Sequence, residues 1–135
     1  GKLKGKSKAL NQMFAPPRDL MVSKPLHSVQ QMCDEQKWLL VNIQRVDEFH
    51  CLELNRDVWA DETVKEVLRS SFLFWQQIFT DYDTKNHMHR KTDAQDFVQK
   101  YHVDTYPHIS IIDPRTGAMI WKWDPCPVVC HTPSQ

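Results

Sequence analysis

Glycine is scarce in this chain. Three occur in 135 residues, Gly1, Gly5 and Gly117, and none are grouped. A phosphate cradle needs clustered glycines whose backbone N–H groups can close on the anion, so a nucleotide-binding loop is excluded. No Cys-x-x-Cys occurs either. The four cysteines are Cys33, Cys51, Cys126 and Cys130. Dithiol exchange needs a second sulfur one helical turn from the first to resolve the mixed disulfide, and Leu54 occupies that place after Cys51. No apolar run approaches the roughly 18 residues of a membrane span, and no signal-peptide pattern is present. The expected location is therefore cytoplasmic or nuclear, with reduced thiols. Lys and Arg balance Asp and Glu at 17 each. A net charge of zero gives no whole-chain footprint for nucleic acid or a membrane surface. No Ser/His/Asp arrangement is readable from local sequence, and no internal repeat is visible.

What is present fits one domain with a sizeable core. Lys2, Lys4, Lys6 and Lys8 alternate with small and apolar residues. Four lysines make a weak patch, so residues 1–8 read as a flexible basic tail and a solvated linker. The chain opens on Gly rather than Met, as a piece of a longer protein does. Residues 9–123 carry the domain. Residues 28–36 are expected as a helix capped by Ser28, with Val29, Met32 and Cys33 on one stripe. The run Trp38-Leu39-Leu40-Val41-Asn42-Ile43 is nearly all apolar, as a strand buried on both faces should be. A short helix is expected over residues 47–54. A second covers residues 61–69, with acids in its first turn and Val64, Val67 and Leu68 turned to the core. The aromatic run 72–79 reads as a strand. Residues 80–91 read as a polar surface insertion with His87 and His89. Thr92-Asp93-Ala94-Gln95 has the form of a capping box that opens a helix running to about Tyr101.

Thr105-Tyr106-Pro107 then precedes an apolar run, the turn Asp113-Pro114-Arg115-Thr116-Gly117 and a second apolar run, residues 118–123. Proline suits a strand entry, and the turn places a Pro at φ near −65° and a Gly where φ can be positive. Residues 124–135 carry three prolines and no helical stripe. They are expected to be poorly ordered or loosely docked. The order helix, strand, helix, strand, helix, strand, strand needs parallel crossovers first and an antiparallel hairpin last. This is an α/β chain with a central mixed sheet of about four strands flanked by helices. It resembles the thioredoxin fold. That likeness implies a cis bond before Pro107, facing the loop after the first strand. The last helix of that fold is missing from the pattern, which leaves one sheet face poorly covered.

Blocks spread over roughly residues 10–123 narrow the likeness: residues 14–21, 37–44, 54–59, 72–76 and 113–117. Together they resemble the UAS domain, a thioredoxin-like module of UBX proteins. The resemblance implies a non-catalytic interaction or spacer module in an adaptor. Such adaptors join ubiquitinated substrates, cullin ligases and the AAA ATPase valosin-containing protein, largely through modules this chain does not contain. Two departures stand out: a longer 80–93 region and the Pro/Cys tail in place of a last amphipathic helix. A fatty acid is the alternative ligand that some UAS domains imply, and an apolar groove lined by basic residues would favour it.

Among candidate residues, Asn55-Arg56-Asp57-Val58-Trp59 is the most polar-aromatic cluster. Arg and Trp are enriched at interface hot spots, which makes Asn55, Arg56, Asp57 and Trp59 the candidate binding residues. The competing reading pairs Arg56 with Asp57 and puts Trp59 in the core. Cys51 reads as a structural cysteine, with a monothiol oxidoreductase as the enzyme alternative. Cys126, Cys130 and His131 could suggest a zinc site, but no second pair follows them, and His87 and His89 could supply one only if two separate segments were ordered around a single ion. No catalytic residue, metal or other cofactor is assigned.

Overall fold

The computed structural model describes residues 13–32, 37–81 and 91–123. Four strands form one sheet. β1 (Trp38–Gln44) and β2 (Phe72–Ile78) are parallel, β3 (His108–Ile112) lies antiparallel on the other side of β1, and β4 (Met119–Lys122) closes the order β2-β1-β3-β4. β1 is thus interior, which explains why six of its seven residues are buried and its sequence is almost wholly apolar.

Each face of the sheet packs its own core. Val29, Leu39, Val41, Ile43, Trp75, Phe97 and Ile112 form one, under α1 (Leu26–Met32) and α4 (Asp93–Tyr101). Leu40, Leu54, Trp59, Leu68, Phe74 and Ile109 form the other, under α2 (Phe49–Leu54) and α3 (Glu62–Ser71). The alternation of Leu39/Val41/Ile43 against Leu40 along β1 is the period of two that sends neighbours to opposite faces. The thioredoxin-like α/β architecture expected from the sequence is the one observed.

Several local expectations hold and others move. Thr92 caps α4 as a full capping box: its hydroxyl accepts from Gln95 N at 3.1 Å, and the Gln95 side chain accepts from Thr92 N at 2.9 Å. The Tyr106–Pro107 bond is cis. Gly117 has φ of 76°, and the turn closes through Gly117 N to Asp113 O at 2.7 Å and Asp113 N to Ala118 O at 2.8 Å. Ser28, by contrast, does not cap its helix. The helix starts two residues earlier, at Leu26, where Pro25 has the fixed φ of a helix entry and its carbonyl receives Val29 N at 3.1 Å. Val67 is not turned to the core: it is 52% exposed, and Leu68 with partly buried Val64 carries the inner stripe of α3. α2 does not stop at Leu54. It runs on into one wide π-helical turn, Asn55–Trp59, closed by Ala60 N to Asn55 O at 3.1 Å.

Among the described residues no helix follows β4. The expectations for residues 1–8, for His87 and His89 and for the 124–135 tail lie outside the described residues, as do Cys33, Cys126 and Cys130.

Candidate functional site

Ligands of α/β sheets gather outside the carboxyl ends of the parallel strands. At that end β1 runs into loop 45–48, α2 begins, and Pro107 enters β3. Three features meet there.

The first is a buried set of amides. Asn42 and Gln76 are register partners on β1 and β2. Asn42 Oδ1 accepts from Gln76 Nε2 and Gln44 Nε2, both at 2.8 Å, and from Trp59 Nε1 at 3.1 Å. Asn55 Oδ1 accepts from Gln44 Nε2 at 2.9 Å and Gln76 Nε2 at 3.2 Å, while Asn55 Nδ2 donates to Phe14 O at 3.1 Å. Asn42 Nδ2 donates to His108 O at 3.0 Å. Among the described residues no buried side-chain nitrogen or oxygen lacks a partner. A satisfied network of this kind fixes one geometry for strand ends, α2 and the N-terminal segment.

The second feature is Cys51, in the first turn of α2. It is 1% exposed, and its Sγ accepts from Arg45 N at 3.4 Å. His50, its neighbour in sequence, instead engages Glu53 at 3.0 Å. Leu54, one turn on, is fully buried.

The third is a mixed apolar and charged surface. Val46, Phe49 and Ile78 are 70%, 56% and 49% exposed. Val46 and Ile78, with Phe14, Leu52 and Gln44, line a hollow of about 100 Å³, and the Phe49 ring lies 6.0 Å from that of Phe14. Arg45 lies beside it. Its guanidinium donates to Asp81 at 2.9 and 3.3 Å and to Asp47 at 3.1 Å, over the rings of Phe79 and Tyr106, which stack at 5.5 Å. The Asp81 and Asp47 bonds push Arg45 further up, and Arg45 in turn holds both carboxylates below their ordinary range. Burial raises the Tyr106 phenol.

The predicted binding residues divide at this site. Asn55 and Trp59 point inward, 3% and 4% exposed, into the amide set and the Phe74 contact at 4.8 Å. Arg56 and Asp57 point outward and pair with each other at 2.6 and 2.9 Å, with Arg56 over the Phe14 ring at 5.4 Å. That pairing lowers the Asp57 carboxyl. Pro107 is buried at the entry to β3. Sequence reasoning missed Asn42, Gln44, Gln76 and Arg45. For Asn42 and Gln76 the signal was an amide at the matching place in two largely apolar runs, Val41-Asn42-Ile43 and Phe74-Trp75-Gln76. Among the described residues no group of His, Cys, Asp and Glu could hold a metal ion.

A family model described as thioredoxin-like matches residues 27–114. The chain is 38% identical over 113 residues to the UBX domain-containing protein 7 homolog of Dictyostelium discoideum, covering 83% of this chain and 20% of that one. It is 38% identical over 115 residues to UBX domain-containing protein 2 of Schizosaccharomyces pombe, covering 84% and 25%, and 35% identical over 123 residues to UBX domain-containing protein 5 of Saccharomyces cerevisiae, covering 88% and 23%. The chain thus spans between a fifth and a quarter of the length of these relatives. Two solved structures share its fold. A DsbH oxidoreductase has a TM-score of 0.57 at 14% identity, covering 76% of this chain and 69% of that one. A thioredoxin-fold protein from Helicobacter pylori has a TM-score of 0.56 at 18% identity, covering 84% and 71%. Sheet order, matched residues and relatives agree that the chain belongs to the thioredoxin-like family, in the form carried by UBX domain-containing proteins and in keeping with a UAS domain.

Proposed function

We propose that this domain is a non-catalytic interaction or spacer module in a ubiquitin-pathway adaptor that links ubiquitinated substrates to the AAA ATPase valosin-containing protein, in the cytoplasm and nucleus. The observation that carries the non-catalytic reading is the burial of Cys51. A nucleophilic thiol must be solvent-accessible and poised as a thiolate. Here the sulfur is covered, it takes a bond from a backbone N–H, and the next turn offers the side chain of Leu54. The relatives are UBX domain-containing proteins, which supports the adaptor context. The surface of Val46, Phe49 and Ile78 beside outward-facing Arg56 is the face we assign to a protein partner. Hydrophobic anchors with an adjacent arginine are what interface centres are made of.

The fatty-acid alternative finds less support. An apolar groove does exist, over β3, but the residues that line it include no Lys or Arg to meet a carboxylate.

Two measurements on one set of proteins test the proposal. Insulin reduction by the domain should stay at background. Co-precipitation of valosin-containing protein with a longer UBX protein carrying this domain should survive Cys51→Ser. Turnover above background that Cys51→Ser abolishes would overturn the non-catalytic reading and install the monothiol one.

A further inference from the structure

The end of the sheet opposite loop 45–48 carries charge of one sign. β3 runs antiparallel to β1 with Ile112 beside Leu39, so the turn 113–117 sits where β1 begins. α1 and the last turn of α4 meet the turn there. Together they line an open hollow of about 390 Å³ whose polar side chains are His27, Gln30, Gln31, Lys100, Arg115 and Thr116. Each of these side chains can donate a hydrogen bond, and no Asp or Glu lines the hollow among the described residues.

Two of the cations hold their donors ready. The Arg115 guanidinium lies over the Trp38 ring at 6.0 Å, and its side chain is 63% exposed. Its ion-pair partner Asp113 stands 3.6 Å from Nε, beyond hydrogen-bond reach. Arg45, Arg56 and Arg69, by contrast, donate to carboxylates at 2.9, 2.6 and 2.9 Å. Arg115 therefore keeps the planar fork that matches a carboxylate, steadied by an aromatic face. Lys100 is exposed, lies over the Tyr101 ring at 5.2 Å and has no carboxylate partner among the described residues. Between them is a cradle at Gly117. A side-chain carbon built there would stand 3.5 Å from Gln30 Nε2 and 3.8 Å from both Lys100 Nζ and Tyr101 Oη. Tyr101 Oη already donates to Gly117 O at 2.6 Å, so the Gln30 amide and the Lys100 ammonium are the donors that face the space. The size and the charge together select the ligand. Two fixed cations make too small a footprint for nucleic acid or an anionic membrane, which rows of Lys and Arg hold. The hollow is too wide for one small anion and takes a few residues of extended chain.

We propose that the hollow between α1, the end of α4 and the turn 113–117 binds an acidic peptide segment of a partner protein, with Arg115 taking one carboxylate and Lys100, beside Gln30, a second. The test titrates the isotope-labelled 135-residue chain with a capped synthetic peptide of alternating Glu and Gly and follows the backbone amide NMR shifts. The expected result is saturable shifts at Lys100, Arg115, Thr116 and Gly117, and none there with the matching peptide of Gln and Gly. Arg115→Gln with Lys100→Gln should weaken binding by about ten-fold or more. Both side chains are exposed, so the melting temperature should stay at the parent value. Arg115→Lys keeps the charge but loses the fork, and should weaken binding by several-fold on its own. Arg18→Gln removes one charge from an exposed site on the N-terminal segment and should change nothing. No shift with the Glu peptide at millimolar concentration would overturn the proposal. Equal shifts with the Gln peptide would do so as well, since the carboxylates would then be irrelevant. Sodium sulfate at matched charge producing the same shifts would reduce the hollow to an adventitious ion only. Full affinity in the double variant would place the peptide elsewhere and overturn the assignment.

Discussion

At the scale of single residues, neighbours in sequence do opposite work. Asn55 is buried and bonded to Gln44, Gln76 and the Phe14 carbonyl, while Arg56 is half-buried, bonded to Asp57 and laid over the Phe14 ring. Asn55→Ala removes an acceptor from two buried amides and should lower stability by about 2–3 kcal/mol, measured by urea unfolding. Arg56→Ala breaks a solvent-exposed pair and should leave the melting temperature nearly unchanged. If Arg56 anchors a partner, the same variant weakens capture of that partner by roughly thirty-fold. A large fall in stability with unchanged affinity would remove it from the interface. His108 offers a titration. It is 3% exposed with its Nε2 at 2.8 Å from Ser110 Oγ, and burial, helped by Lys122, pulls its pKa from 6.5 down to about 4. The unfolded chain therefore binds the proton more readily than the folded one between these values. The stabilisation is complete above pH 6.5 and is lost as pH falls toward 4. Unfolding free energy should drop by about 2 kcal/mol from pH 7 to pH 5. His108→Gln should flatten that slope, and an unchanged slope would assign it to other groups.

At the scale of elements, caps and turns decide boundaries. Thr92→Ala removes the hydroxyl half of the α4 capping box and should cost about 1 kcal/mol, roughly 4 °C in melting temperature. Gly117→Ala meets open contacts of 3.5 Å or more but keeps φ at 76°, so its cost of about 1 kcal/mol is conformational rather than steric. These sites were legible in the sequence because their chemistry is local: Thr92 and Gln95 lie three residues apart, and Gly117 follows Asp113-Pro114. The strands were legible because buried parallel strands read as apolar runs. The start of α1 was not, since Ser28 and Pro25 both offer plausible entries and packing of Val29 settles between them. The π-helical turn was not, because it depends on Trp59 and Asn55 both reaching Asn42 and Gln76 on the strands. That is a tertiary demand with no mark in the segment itself.

At the scale of the whole molecule, the fold was legible and the site only half so. Cys51 and Pro107 could be placed from the order of elements. The amide set could not, because Asn42, Gln44, Asn55 and Gln76 are distant in sequence and meet only once β1, β2 and α2 have assembled. The exposed surface carries the functional expectation. Val46→Asp with Phe49→Asp should leave urea unfolding within about 0.5 kcal/mol of the parent, since both side chains are mostly solvated. The same pair should abolish co-precipitation of any partner held by this face, and undiminished capture would move the interface elsewhere.

The amide pair of Asn42 and Gln76 has one more effect, on which alignment the sheet adopts. Slipping β2 by one residue against β1 would turn its apolar side chains to the wrong faces, so hydrophobicity alone forbids it. Slipping by two restores every face, and an all-apolar pair of strands would tolerate it. Here the two-residue slip sets Asn42 against Phe74 or Ile78 and breaks the Gln76 bonds to Asn42 and Asn55, at a cost of about 1–3 kcal/mol. The polar pair therefore works as a proofreading mark, a feature of these strands that tells the correct alignment from its nearest apolar imitation.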